Sequence, residues 1–403
     1  MPIVEVNTPN QWRTESPGHE GWQHTARPTD AKKYFMVSTD SHANEPANLW
    51  AERIEPEYRK RVPRVIVDED GVKWRISEGH RPDRLRKLKL DGEDALRTQV
   101  GADPEERLKD MDYDGIDAEV IFPNKGLSTW ATPDAKFAQA QCRVYNTWAW
   151  EVFRDYNDRM SPVACIATGD FEGAMAEIER TAKMGFRALT LPCKPVWGAH
   201  EVEHANYNLP MFDPMWALIQ ETGLPITFHI STGRASRASR GNGGAVINYV
   251  THSLSPTIAP VANLCASGVF ERFPEFKFAT IEAGIGWVPW LLDAMDEGYR
   301  KHHFGVRPKL EKMPSDYFRA HGFATFQEDP SGLELAEQYD LVDNFMWAND
   351  YPHHEGTWPH SAEAIERTMN KLNDVQRAKI LGLNAAGFFG FEVPEHQRLD
   401  AYL

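Results

Sequence analysis

Short apolar runs that end in a polar or ionisable residue recur along this chain, and each reads as a buried strand delivering chemistry at its C-terminal end. The first covers residues 34–37 (YFMV) and stops at Ser38, Thr39, Asp40, Ser41 and His42. Side chains two apart on a strand share a face, so Asp40 and His42 point the same way. The run at 224–230 (LPITFHI) places His229 near its end, and the stretch at 344–352 (NFMWANDYP) places Asp350 just after another. From about residue 105 strands and helices alternate, with further strands expected at 118–122, 163–167, 187–191, 277–281, 323–326 and 345–348. Helices are expected at 106–113, 135–156, 173–184, 214–221, 258–270, 287–299 and from 362 to 372. Eight strands with intervening helices predict an α/β fold of the (β/α)8 TIM-barrel type, with a doubly wound sheet as the alternative. The barrel is favoured because polar residues follow strands one, five, six and eight, where one mouth collects them.

Outside this alternation the pattern changes. Residues 1–33 are polar, carry Pro2, Pro9, Pro17 and Pro28, and show no periodicity, which reads as an extended arm suited to wrapping a neighbouring subunit. After the first strand, residues 46–64 place Trp50, Ile54 and Tyr58 at helical spacing, with Pro56 expected to kink or split the helix. Residues 65–76 then read as a hairpin around Asp68, Glu69, Asp70 and Gly71. Residues 51–105 are therefore an insertion after strand one, a lid or interface element. The barrel domain is expected over 34–392, followed by a short tail at 393–403.

Size and charge narrow the function. A chain of 403 residues suits one large catalytic domain better than several modules. Its net charge of -15 argues against nucleic acid or an anionic membrane as partner, since either needs a basic face. A small-molecule substrate is expected, within a homodimer or higher homo-oligomer. Cys142, Cys165, Cys193 and Cys265 are widely spaced without a C-x-x-C, so neither a disulfide framework nor a thiolate metal site is indicated. With no apolar leader and no apolar run long enough to span a bilayer, the expected location is cytoplasmic.

Asp40, His42, His229 and Asp350 make a mixed nitrogen and oxygen set suited to one divalent transition metal. Each has an ordinary alternative: turn chemistry for Asp40 and for Asp350 before Tyr351 and Pro352, a hydrogen-bonded core histidine for His229. Glu282, at the end of strand six, is a candidate for catalysis or substrate contact, or else pairs with an arginine. Among the remaining histidines, His252, His321 and His353 are candidates for substrate contact, and all three, with His354, read as supporting or surface groups rather than metal ligands.

Six stretches carry a family resemblance: TDSHANEP, MDYDGIDAEVIFP, GLPITFHIS, FPEFKFATIEAGIGWVP, WANDYPHHEG and LGLNAAGFFGF, in that order along residues 34–392. In these the chain resembles the amidohydrolase-related enzymes of the aminocarboxymuconate semialdehyde decarboxylase type, which include γ-resorcylate and 5-carboxyvanillate decarboxylases. The resemblance implies a metal-dependent TIM barrel with Asp40 and His42 as the first ligand pair. His229 would be the third ligand, and Asp350 a carboxylate that both touches the metal and moves protons. Two departures stand out. Asp40 occupies a place where many relatives have His or Glu, and Glu282 one where decarboxylating relatives often have His. Lys194 lies near the place of the bridging lysine of two-metal amidohydrolases, but no further ligands accompany it, so one ion, Zn2+ or Mn2+, is expected. The implied reaction is non-oxidative decarboxylation of an aromatic or unsaturated carboxylic acid. The alternative is hydrolysis of an ester, amide, lactone or C–C bond by a metal-activated water.

Overall fold

The computed structural model of the chain describes residues 34–80, 82–85, 101–196, 205–233, 241–353 and 356–402. Eight parallel strands form a closed TIM barrel. They are β1 (Val37–Ala43), β2 (Ala118–Pro123), β3 (Met160–Pro162 continued by Ala164–Cys165) and β4 (Leu189–Leu191). The second half comprises β5 (Ile226–His229), β6 (Phe278–Ile281), β7 (Gly322–Phe326) and β8 (Phe345–Trp347). Each pairs with its neighbour in sequence. Val163 carries the sheet across the break in β3, its N–H bonding back to Ile121 while that of Ala164 bonds forward to Ala188. The ring closes where Ser41 bridges Tyr351: Tyr351 O accepts from His42 N at 2.6 Å, and Asp40 O accepts from Asp350 N at 3.0 Å.

Apolar residues fill the barrel in the way the runs predict. Val37, Val120, Phe122, Ala279, Ile281 and Met346 are all fully buried in one cluster. The same cluster takes in Phe388, Phe389 and Phe391 from the closing segment, with Phe388 edge-on to Phe323 at 4.9 Å. Gly382 sits so close to the backbone of β1's lead-in that a Cβ there would lie 1.7 Å from Phe35 O. A second, larger cluster lies between strands and helices, where Trp216, Phe278 and Trp347 are completely buried. Helix boundaries follow their caps: Asp103, Asp134 and Asp170 accept backbone N–H groups at the starts of Pro104–Asp114, Ala135–Phe153 and Phe171–Met184.

The structure refines several expectations. The helix expected at 258–270 is two, Ser255–Ala266 and Val269–Arg272, divided where Gly268 takes a left-handed φ of 72°. Only Leu49–Arg53 of the 46–64 stretch is helical, and turns take over around Pro56. Beyond it, Arg64–Val67 pairs antiparallel with Lys73–Ile76, which also pairs with Asp83–Arg84. Arg61 ties this insertion to the loop after β2, its guanidinium reaching Glu78 at 2.6 Å and Asp134 at 2.7 Å. The expected arm at 1–33 lies outside the described residues.

Candidate metal centre

A bulge in β1 brings the first two functional side chains into the barrel. Ser38 stands opposite Glu119 but Ser41 stands opposite Ile121, so β1 carries one extra residue across that step. The extra residue reverses the inward and outward alternation between Val37 and Asp40. As a result Val37 packs in the barrel core while Asp40 and His42 reach the mouth above it. His229 enters from the end of β5, Glu282 from just after β6 and Asp350 from beyond β8.

These groups converge. His42 Nε2 lies 3.3 Å from Asp40 Oδ1 and 3.4 Å from Asp350 Oδ1. His229 Nε2 lies 3.4 Å from Asp40 Oδ1 and 3.6 Å from Glu282 Oε2. Ligand atoms of Asp40, His42, His229 and Glu282 all fall within 4.8 Å of one another, as do those of His42, Asp350 and His353. Asp40, His42 and Asp350 are wholly buried, His229 nearly so, and Glu282 remains partly open to solvent. Glu282 and Asp350 both adopt left-handed backbone, φ 60° and 55°. For residues with a side chain this costs on the order of 1 kcal/mol or more each, and the chain bears that cost where it turns these carboxylates inward.

Backbone contacts fix both imidazoles for ligation. His42 Nδ1 donates to Pro123 O at 3.0 Å, and His229 Nδ1 donates to Ile230 O at 2.9 Å. Each Nε2 is left with its lone pair facing the cluster. Burial, reinforced by the neighbouring His353, pulls the His42 imidazole below its ordinary value and keeps it neutral. Burial raises the Asp350 carboxyl against the pull of His353.

Among the described residues, Asp40 Oδ1 and Oδ2, His42 Nε2, His229 Nε2 and Asp350 Oδ2 are buried without a hydrogen-bond partner. Orphaned buried acceptors are rare and costly. Here they cluster, are all lone-pair donors, and have the composition a divalent ion requires. The residues present fit such an ion.

Of the other described histidines, the structure brings only His353 to the cluster. Its Nδ1 donates to Asp350 Oδ1 at 2.9 Å, its ring stacks on His42 with centroids 4.2 Å apart, and it is about a quarter exposed. His321 is corrected: it ends the helix Pro314–His321 and precedes β7, at the opposite end of the barrel from the mouth. There it stacks on Phe270 and contacts Phe276 O, so contact with a substrate at the mouth is excluded by direction. His252 lies in the wide helical turn Asn248–Leu254 that follows β5, with no hydrogen bond to the cluster. His354 lies outside the described residues.

A supporting set was not anticipated. Helix Pro104–Asp114 turns Arg107, Asp110 and Asp114 inward on one face. Arg107 pairs with Glu119 at 2.7 Å, donates to His42 O at 2.8 Å and lies over the Tyr351 ring at 4.9 Å. Asp110 accepts from Tyr351 Oη at 2.5 Å, and Asp114 accepts from Asn349 Nδ2 at 3.3 Å. One helix thus grips both the β1 and the β8 segments of the site. Burial pushes the Asp114 carboxyl up to about 7. Glu45 organises the loop after β2 by accepting from the N–H groups of Asn124, Lys125 and Gly126.

Comparison with known proteins identifies the family and the fold. The profile of the family described as amidohydrolase matches residues 39–391. An amidohydrolase from Mycobacterium avium subsp. paratuberculosis K-10 is similar in structure, with 19% identity over 89% of this chain and 99% of its own, and a TM-score of 0.72. A 5-carboxyvanillate decarboxylase from Sphingomonas paucimobilis superimposes with a TM-score of 0.60 at 21% identity, over 89% of this chain and 100% of its own. A dihydroxybenzoic acid decarboxylase from Polaromonas sp. JS666, crystallised with manganese and the inhibitor 2-nitroresorcinol, gives 0.61 at 18% identity, covering 90% of this chain and 99% of its own. Over residues 39–391, from β1 to the closing helices, the chain is an enzyme that belongs to the amidohydrolase family.

Proposed function

We propose that the enzyme is a metal-dependent, non-oxidative decarboxylase of an aromatic or unsaturated carboxylic acid, acting on a small molecule in the cytoplasm. The observation that carries the reading is the convergence of buried, partnerless lone pairs from Asp40, His42, His229 and Asp350 at the barrel mouth. These four residues would hold one divalent ion, Zn2+ or Mn2+, the carboxylate oxygens favouring the harder Mn2+. When bound, the ion supplies Lewis-acid binding of the substrate's carboxylate and a neighbouring oxygen.

The chain's own residues then handle the proton. Breaking the bond to CO2 leaves an electron pair on carbon, and that carbon takes up a proton. Asp350 is suited to deliver it, because its carboxyl, raised by burial, reaches the cluster with Oδ2 buried and unpartnered while Oδ1 is bonded to His353. His353, hydrogen-bonded to Asp350 and partly exposed, links that carboxyl to the solvent side from which the proton is restored. Similarity of fold to aromatic-acid decarboxylases supports this choice of reaction.

Glu282 favours a second reading. Its carboxylate stands beside His229, partly solvated, where a general base for an attacking water would sit. On that reading the enzyme hydrolyses an ester, amide, lactone or C–C bond. Incubating the Mn2+- and Zn2+-loaded enzyme with a panel of hydroxybenzoates, and separately with esters, amides and lactones, decides between them. Release of CO2 without hydrolysis supports decarboxylation, and hydrolysis with no CO2 from any carboxylic acid overturns it.

A further inference from the structure

The insertion presents an open sheet edge. Strand Arg64–Val67 pairs only with Lys73–Ile76 among the described residues, and all of its residues are exposed although three are large aliphatics. Val65 is 55% exposed, Ile66 43% and Val67 60%. Asp68 N donates to Val72 O at 3.0 Å, while Lys73, opposite Val67, accepts from Leu85 on its other side. Ladder bonds in an antiparallel pair alternate. Ile66 therefore bonds inward to Trp74, and Val65 and Val67 turn their N–H and C=O groups to the open edge. Natural proteins normally blunt such an edge.

Charge around the strand indicates what covers it. Exposed Arg59, Lys60 and Arg64 lead into the aliphatic centre, and Asp68, Glu69 and Asp70 follow it. Antiparallel pairing of two identical strands sets each cationic end against an anionic one, whereas parallel pairing sets like against like. We propose that Arg64–Val67 pairs antiparallel, about a two-fold axis at Ile66, with the same strand of a second copy of this chain. In that register Val65 of each copy exchanges backbone bonds with Val67 of the other, Arg64 stands opposite Asp68, and Ile66 faces its own counterpart. The two three-stranded sheets become one continuous sheet across the dimer.

The register makes a sharp test on the full, metal-loaded chain. Facing residues of a non-hydrogen-bonded antiparallel pair have Cα atoms about 4.5 Å apart, within the roughly 4.4–6.8 Å a disulfide spans. Ile66→Cys should cross-link into a covalent dimer under mild oxidation, while Val65→Cys, whose counterpart lies beyond about 7 Å, should not. The four native cysteines are buried and do not compete. Val67→Pro removes an N–H that the monomer does not use. Losing its two symmetry-related bonds should weaken association by at least about tenfold in sedimentation velocity, with unchanged metal content. A monomeric wild type, a dimer indifferent to Val67→Pro, or equal cross-linking at 65 and 66 overturns the proposal. So does a strand edge that becomes cross-linkable only after residues 1–30 are removed, which would assign it to the chain's own N-terminal segment.

Discussion

Replacing Asp350 by Asn separates the proton-carrying role proposed for this residue from its shape. One carboxylate oxygen, Oδ1, accepts from His353 and lies 3.4 Å from His42, while the other, Oδ2, is buried without a partner. An amide cannot serve both positions equally. If its oxygen keeps the His353 bond, an NH2 group replaces the lone pairs at the Oδ2 position; if it turns round, the NH2 meets His353 Nδ1, which must then accept. Some loss of metal affinity is expected either way, but two imidazoles and Asp40 remain. The larger loss is chemical, since an amide has no proton to give. General acid catalysis is typically worth about 10²- to 10⁴-fold, or roughly 2.7 to 5.5 kcal/mol of barrier. Turnover at saturating metal should fall by at least this factor, with substrate still bound. Single-turnover CO2 release, measured beside metal content, checks it. Near-normal turnover with metal retained would refute the reasoning and move the proton carrier to Glu282 or His353.

Four further outcomes follow from the geometry. His229→Ala removes a lone pair that already faces the cluster, so metal affinity should drop by more than the roughly 10- to 100-fold that loss of a supporting bond costs, read by elemental analysis after dialysis. Glu282→Gln keeps the shape but not the base; decarboxylation should survive within about tenfold, whereas a fall of about 10²- to 10⁴-fold would favour the hydrolase reading. Asp114, raised from 3.8 to about 7 by burial, holds a proton in the folded protein that the unfolded chain has released. Its contribution to stability is therefore full below about pH 4 and lost as the pH rises through about 7, and Asp114→Asn should flatten the decline of Tm over that window. Arg107→Met leaves Glu119 buried and unpaired, which should destabilise by about 3–5 kcal/mol, visible as a lower urea midpoint.

The strands and the candidate cluster at their ends were legible because burial leaves a strong mark on short β segments. A strand covered on both faces reads as an unbroken apolar run, and the residue at which the run stops lies at the mouth. Asp40, His42, His229, Glu282 and Asp350 were read in this way, and the structure brings them close together. His321 stands on the other side of that rule. It precedes its strand, and chain direction alone sends it to the far end of the barrel. The bulge in β1 left no such mark. It is a matter of register against β2, and only the pairing of Ser38 with Glu119 and of Ser41 with Ile121 reveals it.

Helix Pro104–Asp114 was expected, but the inward face of its polar residues was hidden for a different reason. Its sequence, PEERLKDMDYD, is polar almost all round, which on periodicity alone describes a solvated surface helix. Yet Arg107, Asp110 and Asp114 are buried with Met111, at positions that share one face. Buried charges on a helix need partners, and here the partners include groups on the β1 and β8 segments of the candidate site: the carbonyl of His42, the hydroxyl of Tyr351 and the amide of Asn349. A polar inward face is a poor way to stabilise a core. It is an effective way to hold two loops in register, because each hydrogen bond fixes a direction as well as a distance. The stretch MDYDGID that carries part of the family resemblance lies largely on this helix and its left-handed stop at Gly115. Its polar residues thus belong with the site, at one remove from the reacting atoms, and their charge pattern is explained by the loops they hold rather than by solvent.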